Sequence, residues 1–409
     1  MKNKRILFFV ILASSFMLTG CSLDLDEVRT IINGSGNVKQ EDLADSNEKR
    51  DVEDSTIEDE KEQPQTKISE AEIADAMNYQ TDNFAYESLE EEEHKLYIEI
   101  YTVLNNMNQD ITISSLNVDD VDRIFQYVMD DHPELYFVEG YSITKYTTNG
   151  VVSYLTLSGK YTKTKEQREL IDPQIENYVV QCFLNLPMDG DEYKKAKYIY
   201  EYLINHTEYD INSTDNQNIC SVFLNGRSVC QGYAKATQYL LKRAGIFATL
   251  LSGTVKNGEG HAWNLAYIDG NWCYLDTTWG DASYQSEVSE ETLNGINYDY
   301  LGANEEVLSK THHVNTTLEL PLCHSLNSYY FVREGKYFTE YDEDKVVELF
   351  KKSYEKDETV LTIKCDSKEV YDAILADLID NERIFRLIED GTRVKYVRME
   401  ENLTLMFYL

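Results

Sequence analysis

The segment Asn225-Gly226-Arg227-Ser228-Val229-Cys230-Gln231-Gly232-Tyr233-Ala234 puts a cysteine where a helix is about to begin. Tyr233, Ala236, Thr237, Leu240, Leu241 and Ala244 then recur at helical spacing, and Gly245 stops the run. Ser228 and Gln231 form an S-x-x-Q capping box, which predicts an N-cap at Ser228 and Cys230 in the first helical turn. Unpaired backbone N–H groups and the positive end of the helix dipole stabilise a thiolate there, and the thiolate is the nucleophilic form of cysteine. A lone cysteine at a helix start is more often a small buried apolar residue. A catalytic reading therefore needs a base and a group to orient it.

Both are found in one stretch downstream. Gly260-His261-Ala262-Trp263-Asn264 and Tyr274-Leu275-Asp276-Thr277-Thr278-Trp279 flank Asp269-Gly270, a strong hairpin signal. With a two-residue loop, Ile268 faces Asn271, and counting back sets Trp263 opposite Asp276 and His261 opposite Thr278. His261 and Asp276 then project from one sheet face as diagonal cross-strand neighbours. A carboxylate there holds the imidazole tautomer and stabilises the imidazolium, while the other ring nitrogen faces the thiol.

The motifs V-C-Q-G-Y-A, H-A-W-N and D-T-T-W, in that order, resemble the transglutaminase-like superfamily over about Tyr193 to Trp279. The resemblance implies an α+β fold with a papain-like core, in which the nucleophile helix packs on an antiparallel sheet carrying the other two residues. Carried over position by position, it makes Cys230 the nucleophile, His261 the general base and then acid, and Asp276 the orienter. The implied reaction is acyl transfer from a peptide or isopeptide amide through a thioester, ending in hydrolysis or in transfer to an amine. An oxyanion hole is then required. The Cys230 backbone N–H is one donor, and Trp263 and Trp279 either offer an indole N–H or form the walls of the site. No cofactor is implied. A non-catalytic binding or scaffold module built on the same core is the alternative, because the superfamily includes members that have lost activity.

Around this site the chain divides into five segments. Residues 1–21 read as a signal peptide, with Lys2, Lys4 and Arg5 before an apolar run from Ile6 to Leu18. Its end, Leu18-Thr19-Gly20-Cys21, resembles the bacterial lipobox, which makes Cys21 a lipid-attachment site and places the protein on the extracytoplasmic face of the membrane. Residues 22–85 are acidic and poor in aromatics, as in Glu58-Asp59-Glu60-Lys61-Glu62, and read as a disordered tether. Residues 86–187 read as an N-terminal α+β domain with a hairpin across Asn149-Gly150 and a helix that Pro173 kinks or breaks. Residues 188–345 form the core, and 346–409 a small α+β domain whose strands include Ile384 to Ile388. This layout looks like that of surface proteins of Gram-positive anaerobes, which makes a cell-wall-associated peptide or protein the expected substrate.

With 73 Asp and Glu against 38 Lys and Arg, the net charge of −35 argues against nucleic-acid binding, which needs clustered cations. If Cys230 is a free nucleophile and Cys21 is lipidated, the five other cysteines cannot all pair, and mostly buried thiols are expected. His312-His313 and His324 beside Cys323 lack paired ligand spacing, so no metal is expected. Lys242 and Arg243 fall in the last turn of the Cys230 helix, where cations complement the dipole.

Overall fold

The computed structural model describes residues 66–80, 82–148, 151–281, 296–388 and 393–409, with the backbone of strands at Ile6–Val10 and Arg50–Ser55. Cys21, the run from Glu58 to Glu62 and the turns at Asn149-Gly150 and Asp390-Gly391 lie outside the described residues. Among those described, no helix is long and apolar enough to cross a membrane.

The fold is α+β, and regular structure reaches into the stretch expected to be a tether. Helix α1 (Glu70–Met77) starts at a capping box in which the Glu72 N–H donates to the Ser69 hydroxyl and the Glu72 carboxylate accepts from the Ser69 N–H. Its Ile73 is buried, and the Thr112 N–H donates to the Thr66 carbonyl at 2.9 Å. Arg50–Ser55 runs parallel to a strand of the N-terminal sheet. Composition alone hid these elements, because a few apolar contacts suffice once a preformed surface is available to receive them.

Next come α2 (Glu91–Asn106), β1 (Ile111–Ile113), α3 (Val118–Asp131), β2 (Val138–Thr148), β3 (Val151–Tyr161) and α4 (Lys165–Phe183). β2 and β3 pair antiparallel, with β1 on the far side of β3. α4 continues through Pro173, which forgoes one intrahelical N–H bond without ending the helix.

The core follows as α5 (Glu192–His206), α6 (Ile219–Asn225), α7 (Cys230–Arg243), β4 (Phe247–Val255), β5 (Gly260–Ile268), β6 (Asn271–Leu275), α8 (Thr277–Gly280), β7 (Leu301–Ala303) and β8 (His312–Val314). Its sheet runs β7-β6-β5-β4-β8, antiparallel throughout, with α7 packed on β4 and β5.

One hydrophobic cluster extends from Ile73 to Phe331, so the expected N-terminal domain and the core share a single interior instead of forming two. The ring of Phe84 meets Trp272 and Phe247 edge-on, and the Gln238 amide donates to the Asp130 carbonyl at 2.6 Å. Lys242, in the last turn of α7 as expected, also donates to the Asp131 carbonyl at 2.8 Å and binds the Asn83 side chain.

The C-terminal unit has its own cluster, from Phe338 to Phe407. It comprises α9 (Glu343–Glu355), β9 (Val360–Cys365), α10 (Lys368–Leu375), β10 (Arg393–Met399) and β11 (Thr404–Tyr408). Its interior thus begins near Phe338, before the expected boundary at 346. Arg383–Arg386 is a 3-10 turn where a strand was expected from Ile384 to Ile388. Four residues of that pentad are apolar, and Ile384, Phe385 and Ile388 bury equally well on a turn, so a run this short does not discriminate. At the junction with the core, Lys364 Nζ lies 2.7 Å from Asp299 Oδ1, both side chains nearly inaccessible.

Candidate active site

Asp269 and Gly270 both take positive φ, 49° and 81°, as a two-residue hairpin loop requires. Ile268 therefore pairs with Asn271, and the register counted from the sequence holds as far as Leu275 opposite Asn264. There the ladder ends. Asp276 becomes the N-cap of α8, its Oδ1 accepting from the backbone N–H groups of Thr278 at 2.9 Å and Trp279 at 3.0 Å. Thr277, Thr278 and Trp279 thus lie on a helical turn, where a strand was expected, and His261 has no cross-strand partner at Thr278. The two unpaired N–H groups captured by the carboxylate account for the change, since aspartate is among the preferred N-cap residues.

The turn does not carry Asp276 away from His261. His261 Nε2 lies 2.7 Å from Asp276 Oδ2, and both side chains are buried. The Cys230 side chain interacts with the same imidazole and favours its charged form. Nε2 is taken by the carboxylate, which leaves Nδ1 for the sulfur. Burial alone would push the His261 pKa down, but the charge and hydrogen bond of Asp276, with a further contribution from Cys230, raise it to about 10. Burial likewise opposes ionisation of Asp276, and the imidazoles of His261 and His312 overcome it, holding the carboxyl well below the usual carboxylate range.

Cys230 is the first residue of α7, one position nearer the helix end than the capping box implied. Val229 is the N-cap and gives no side-chain cap. The Ser228 hydroxyl is engaged elsewhere, with Ser221 Oγ at 2.6 Å and the Asn216 carbonyl at 3.1 Å. This seals the loop before the helix and leaves the first N–H groups of α7 without a side-chain acceptor. Gly232 permits the arrangement: a Cβ there would come within 2.0 Å of Ser228 Oγ and 2.9 Å of the Asn216 carbonyl oxygen.

Two residues fix the helix to the sheet and to α8. The Asn264 amide donates to the Ala234 carbonyl at 3.0 Å and the Thr249 carbonyl at 3.3 Å, and Thr237 Oγ1 meets Thr277 Oγ1 at 2.9 Å. The backbone of Asp276 is held too, its N–H donating to the Tyr300 carbonyl and its carbonyl accepting from the Tyr200 hydroxyl.

Trp263 and Trp279 line the back of the site. Trp263 lies nearly parallel to the His261 ring at 5.9 Å, and Trp279 crosses His312 at 4.8 Å. The indole N–H of Trp263 is buried without a hydrogen-bond partner, so this side chain is a wall; a substrate oxygen would have to enter the core to reach it.

His312, set aside in the sequence for want of metal-ligand spacing, is in the site. It extends from edge strand β8 and its Nε2 lies 3.0 Å from Asp276 Oδ2. His261, Asp276 and His312 are residue types that bind metal ions, and their candidate ligand atoms lie within 4.8 Å of one another. The 2.7 and 3.0 Å contacts are direct hydrogen-bond distances that satisfy the carboxylate without an ion. No local signal could have found His312, since it sits 36 residues beyond Asp276 on a three-residue strand.

The other described cysteines are Cys182, Cys220, Cys273, Cys323 and Cys365, all free and buried, whereas Cys230 is partly exposed. Burial pushes the thiols of Cys182, Cys220 and Cys365 up to about 12 and that of Cys323 to about 11.

Residues 186–277 match the family model described as the transglutaminase-like superfamily. Among curated proteins, the chain is similar to the kyphoscoliosis peptidase of Mus musculus, 24% identical over 147 residues, covering 31% of this chain and 22% of that protein. The same peptidase of Homo sapiens is 25% identical over 116 residues, covering 24% of this chain and 18% of the other. The matches thus span about a fifth of the length of these relatives. A solved structure described as a TGase aligns with a TM-score of 0.27 at 15% identity, covering 37% of this chain and 55% of that one.

Proposed function

Taking residues 186–277 as a transglutaminase-like core, we propose that the protein is a cysteine enzyme acting on peptide or isopeptide amide bonds through a thioester. The observation that carries this reading is the 2.7 Å contact between buried His261 and buried Asp276, with the partly exposed Cys230 interacting with the same imidazole. A buried carboxylate, an imidazole it keeps protonated and a sulfur at a helix N-terminus are the parts that acyl transfer through a thioester needs.

In the first half-reaction the Cys230 thiolate attacks the amide carbonyl carbon, forming the C–S bond. His261 passes its proton to the leaving nitrogen as the C–N bond breaks. In the second, water or an amine attacks the thioester and gives its proton to His261. The C–S bond breaks and the thiolate returns. The Cys230 N–H, which has no intrahelical acceptor at the first position of α7, is one donor to the oxyanion. Asp276 keeps the imidazole aligned through both halves.

With a lipid on Cys21, the enzyme would work on the extracytoplasmic face of a bacterial membrane, on peptides or proteins within reach of its anchor. The decisive measurement is mass spectrometry of a peptide library containing Gln and Lys after incubation with the protein. Products of cleavage, deamidation or cross-linking that vanish in Cys230→Ala support the reading. A wild-type protein that leaves the library unchanged, and whose Cys230 reacts with iodoacetamide no faster than the denatured thiol, would replace it with the non-catalytic module.

A further inference from the structure

We infer that His312 is a positioning residue of this site, a neutral imidazole whose Nε2–H holds the Asp276 carboxylate in the orientation that His261 needs. The inference rests on the proposed roles of Cys230, His261 and Asp276 and adds a fourth member to them.

The argument begins with the freedom left to a carboxylate. Asp276 Oδ1 is fixed by the N–H groups of Thr278 and Trp279. Those two bonds pin one oxygen and leave the group free to swing about it. Oδ2 must therefore be held separately if it is to meet His261 Nε2 at 2.7 Å. His312 Nε2, at 3.0 Å from the same Oδ2, supplies that restraint from the opposite edge of the sheet. The Asp276 carboxylate thus accepts four hydrogen bonds, two on each oxygen.

His312 is itself locked. Its Nδ1 lies 2.8 Å from Thr311 Oγ1, a shorter contact than the 3.3 Å from that hydroxyl to the Leu308 carbonyl. Since the Asp276 carboxylate can only accept, the ring proton sits on Nε2, and Nδ1 accepts from the Thr311 hydroxyl. Its side chain is fully enclosed, crossed by Trp263 at 5.0 Å, Trp279 at 4.8 Å and Tyr300 at 5.4 Å.

One carboxylate between two imidazoles can support one imidazolium well, and neutrality of His312 decides which. The titratable groups around it are Asp276, ahead of α8, His261 on β5 and His313 on its own strand, with the Tyr300 ring also against it. Burial lowers the affinity of His312 for a second proton, and the two neighbouring histidines lower it further, against the pull of Asp276. The positive charge therefore settles on His261, next to the sulfur. A protonated His312 would draw the carboxylate's charge away from the catalytic side.

The test compares His312→Gln, which keeps an amide N–H near the position of Nε2, with His312→Leu, which keeps bulk and removes the donor. The readouts are the pH profile of Cys230 alkylation by iodoacetamide and the nitrogen-15 shifts of the histidine rings. In the wild type, His312 should show the neutral Nε2–H tautomer at neutral pH and above. His312→Leu should lower the His261 midpoint and slow alkylation at neutral pH by about tenfold or more, while His312→Gln should retain most of both. A folded His312→Leu with an unaltered profile, or an imidazolium at His312 near neutral pH in the wild type, would overturn the inference. The ring shifts read the wild type directly, so the test survives a variant that does not fold. Asp276→Asn and His261→Ala run alongside: if neither changes alkylation, the proposed site itself fails, whatever His312 does.

Discussion

At the scale of single residues, the site is an ion pair surrounded by apolar rings, and its pH behaviour follows from the sign of each shift. His261 has a folded pKa of about 10, above its unfolded value near 6.5. Its contribution to stability is therefore whole below the unfolded value and is lost as pH rises through about 10. Asp276 is held below the ordinary range, so its contribution is present above about pH 3.9 and is lost as pH falls through its folded value. The pair should stabilise the fold most between roughly pH 4 and 6.5, and progressively less toward pH 10. Asp276→Asn should cost about 3–5 kcal/mol in that window, as expected for breaking one side of a buried pair. Melting temperatures of both proteins across pH 4 to 10 check this, and a difference constant with pH would contradict it.

Cys230→Ala should behave in the opposite way. The side chain is small and partly exposed, so its removal should change stability by less than about 1 kcal/mol while ending all thioester formation. Iodoacetamide at neutral pH should label the wild type at Cys230 ahead of the five buried thiols, as peptide mapping would show. Cys230, His261 and Asp276 could be read in the sequence because each sits at a fixed offset from a local signal: a helix start or a two-residue turn. His312 could not, because its place is set by pairing of His312 with Val255 across the sheet.

At the scale of elements, helix and hairpin depend on close approaches that only certain side chains allow. Gly232 lies under the Ser228 and Asn216 contacts, and Gly232→Ala would drive a methyl group into them. We expect a loss of about 1–3 kcal/mol together with slower alkylation of Cys230, because the start of α7 must shift. Calorimetry and the alkylation rate measured on one preparation test this; an unchanged rate in a destabilised protein would uncouple the loop from the site. The sequence misled most where an element end depended on competition for hydrogen bonds. Ser228 fitted a capping box but found better partners in Ser221 and Asn216. Ser88 and Glu91 also stand at S-x-x-E spacing, yet α2 is capped by Glu90 with Glu93, and the Ser88 hydroxyl donates to the Phe84 carbonyl. Patterns name the residues able to cap; the rest of the fold decides which of them is used.

Across the whole molecule, periodicity marked the elements well but not which apolar faces meet. The N-terminal helices looked like a separate domain because their stripes are complete in themselves, yet those stripes join the interior of the core. The C-terminal unit is different, with its own cluster and a junction that includes the buried Lys364–Asp299 pair. Lys364→Met should remove the cation and leave the buried Asp299 charge with the Tyr329 hydroxyl but no ion partner, at a cost of about 3–5 kcal/mol. Limited proteolysis should then release a fragment cut near Tyr337, before either half is degraded. Uniform digestion of the variant would show that the two halves unfold together.

Asp276 is at once the orienter of His261 and the residue that starts α8. On the proposed reading, a descendant that gave up chemistry would lose little by replacing the partly exposed Cys230, but replacing Asp276 would unfasten a turn of its architecture. The aspartate should therefore outlast the activity. In comparing such chains, an intact D-T-T-W segment testifies to ancestry alone, and it is the cysteine that would separate an enzyme of the proposed kind from a retired one.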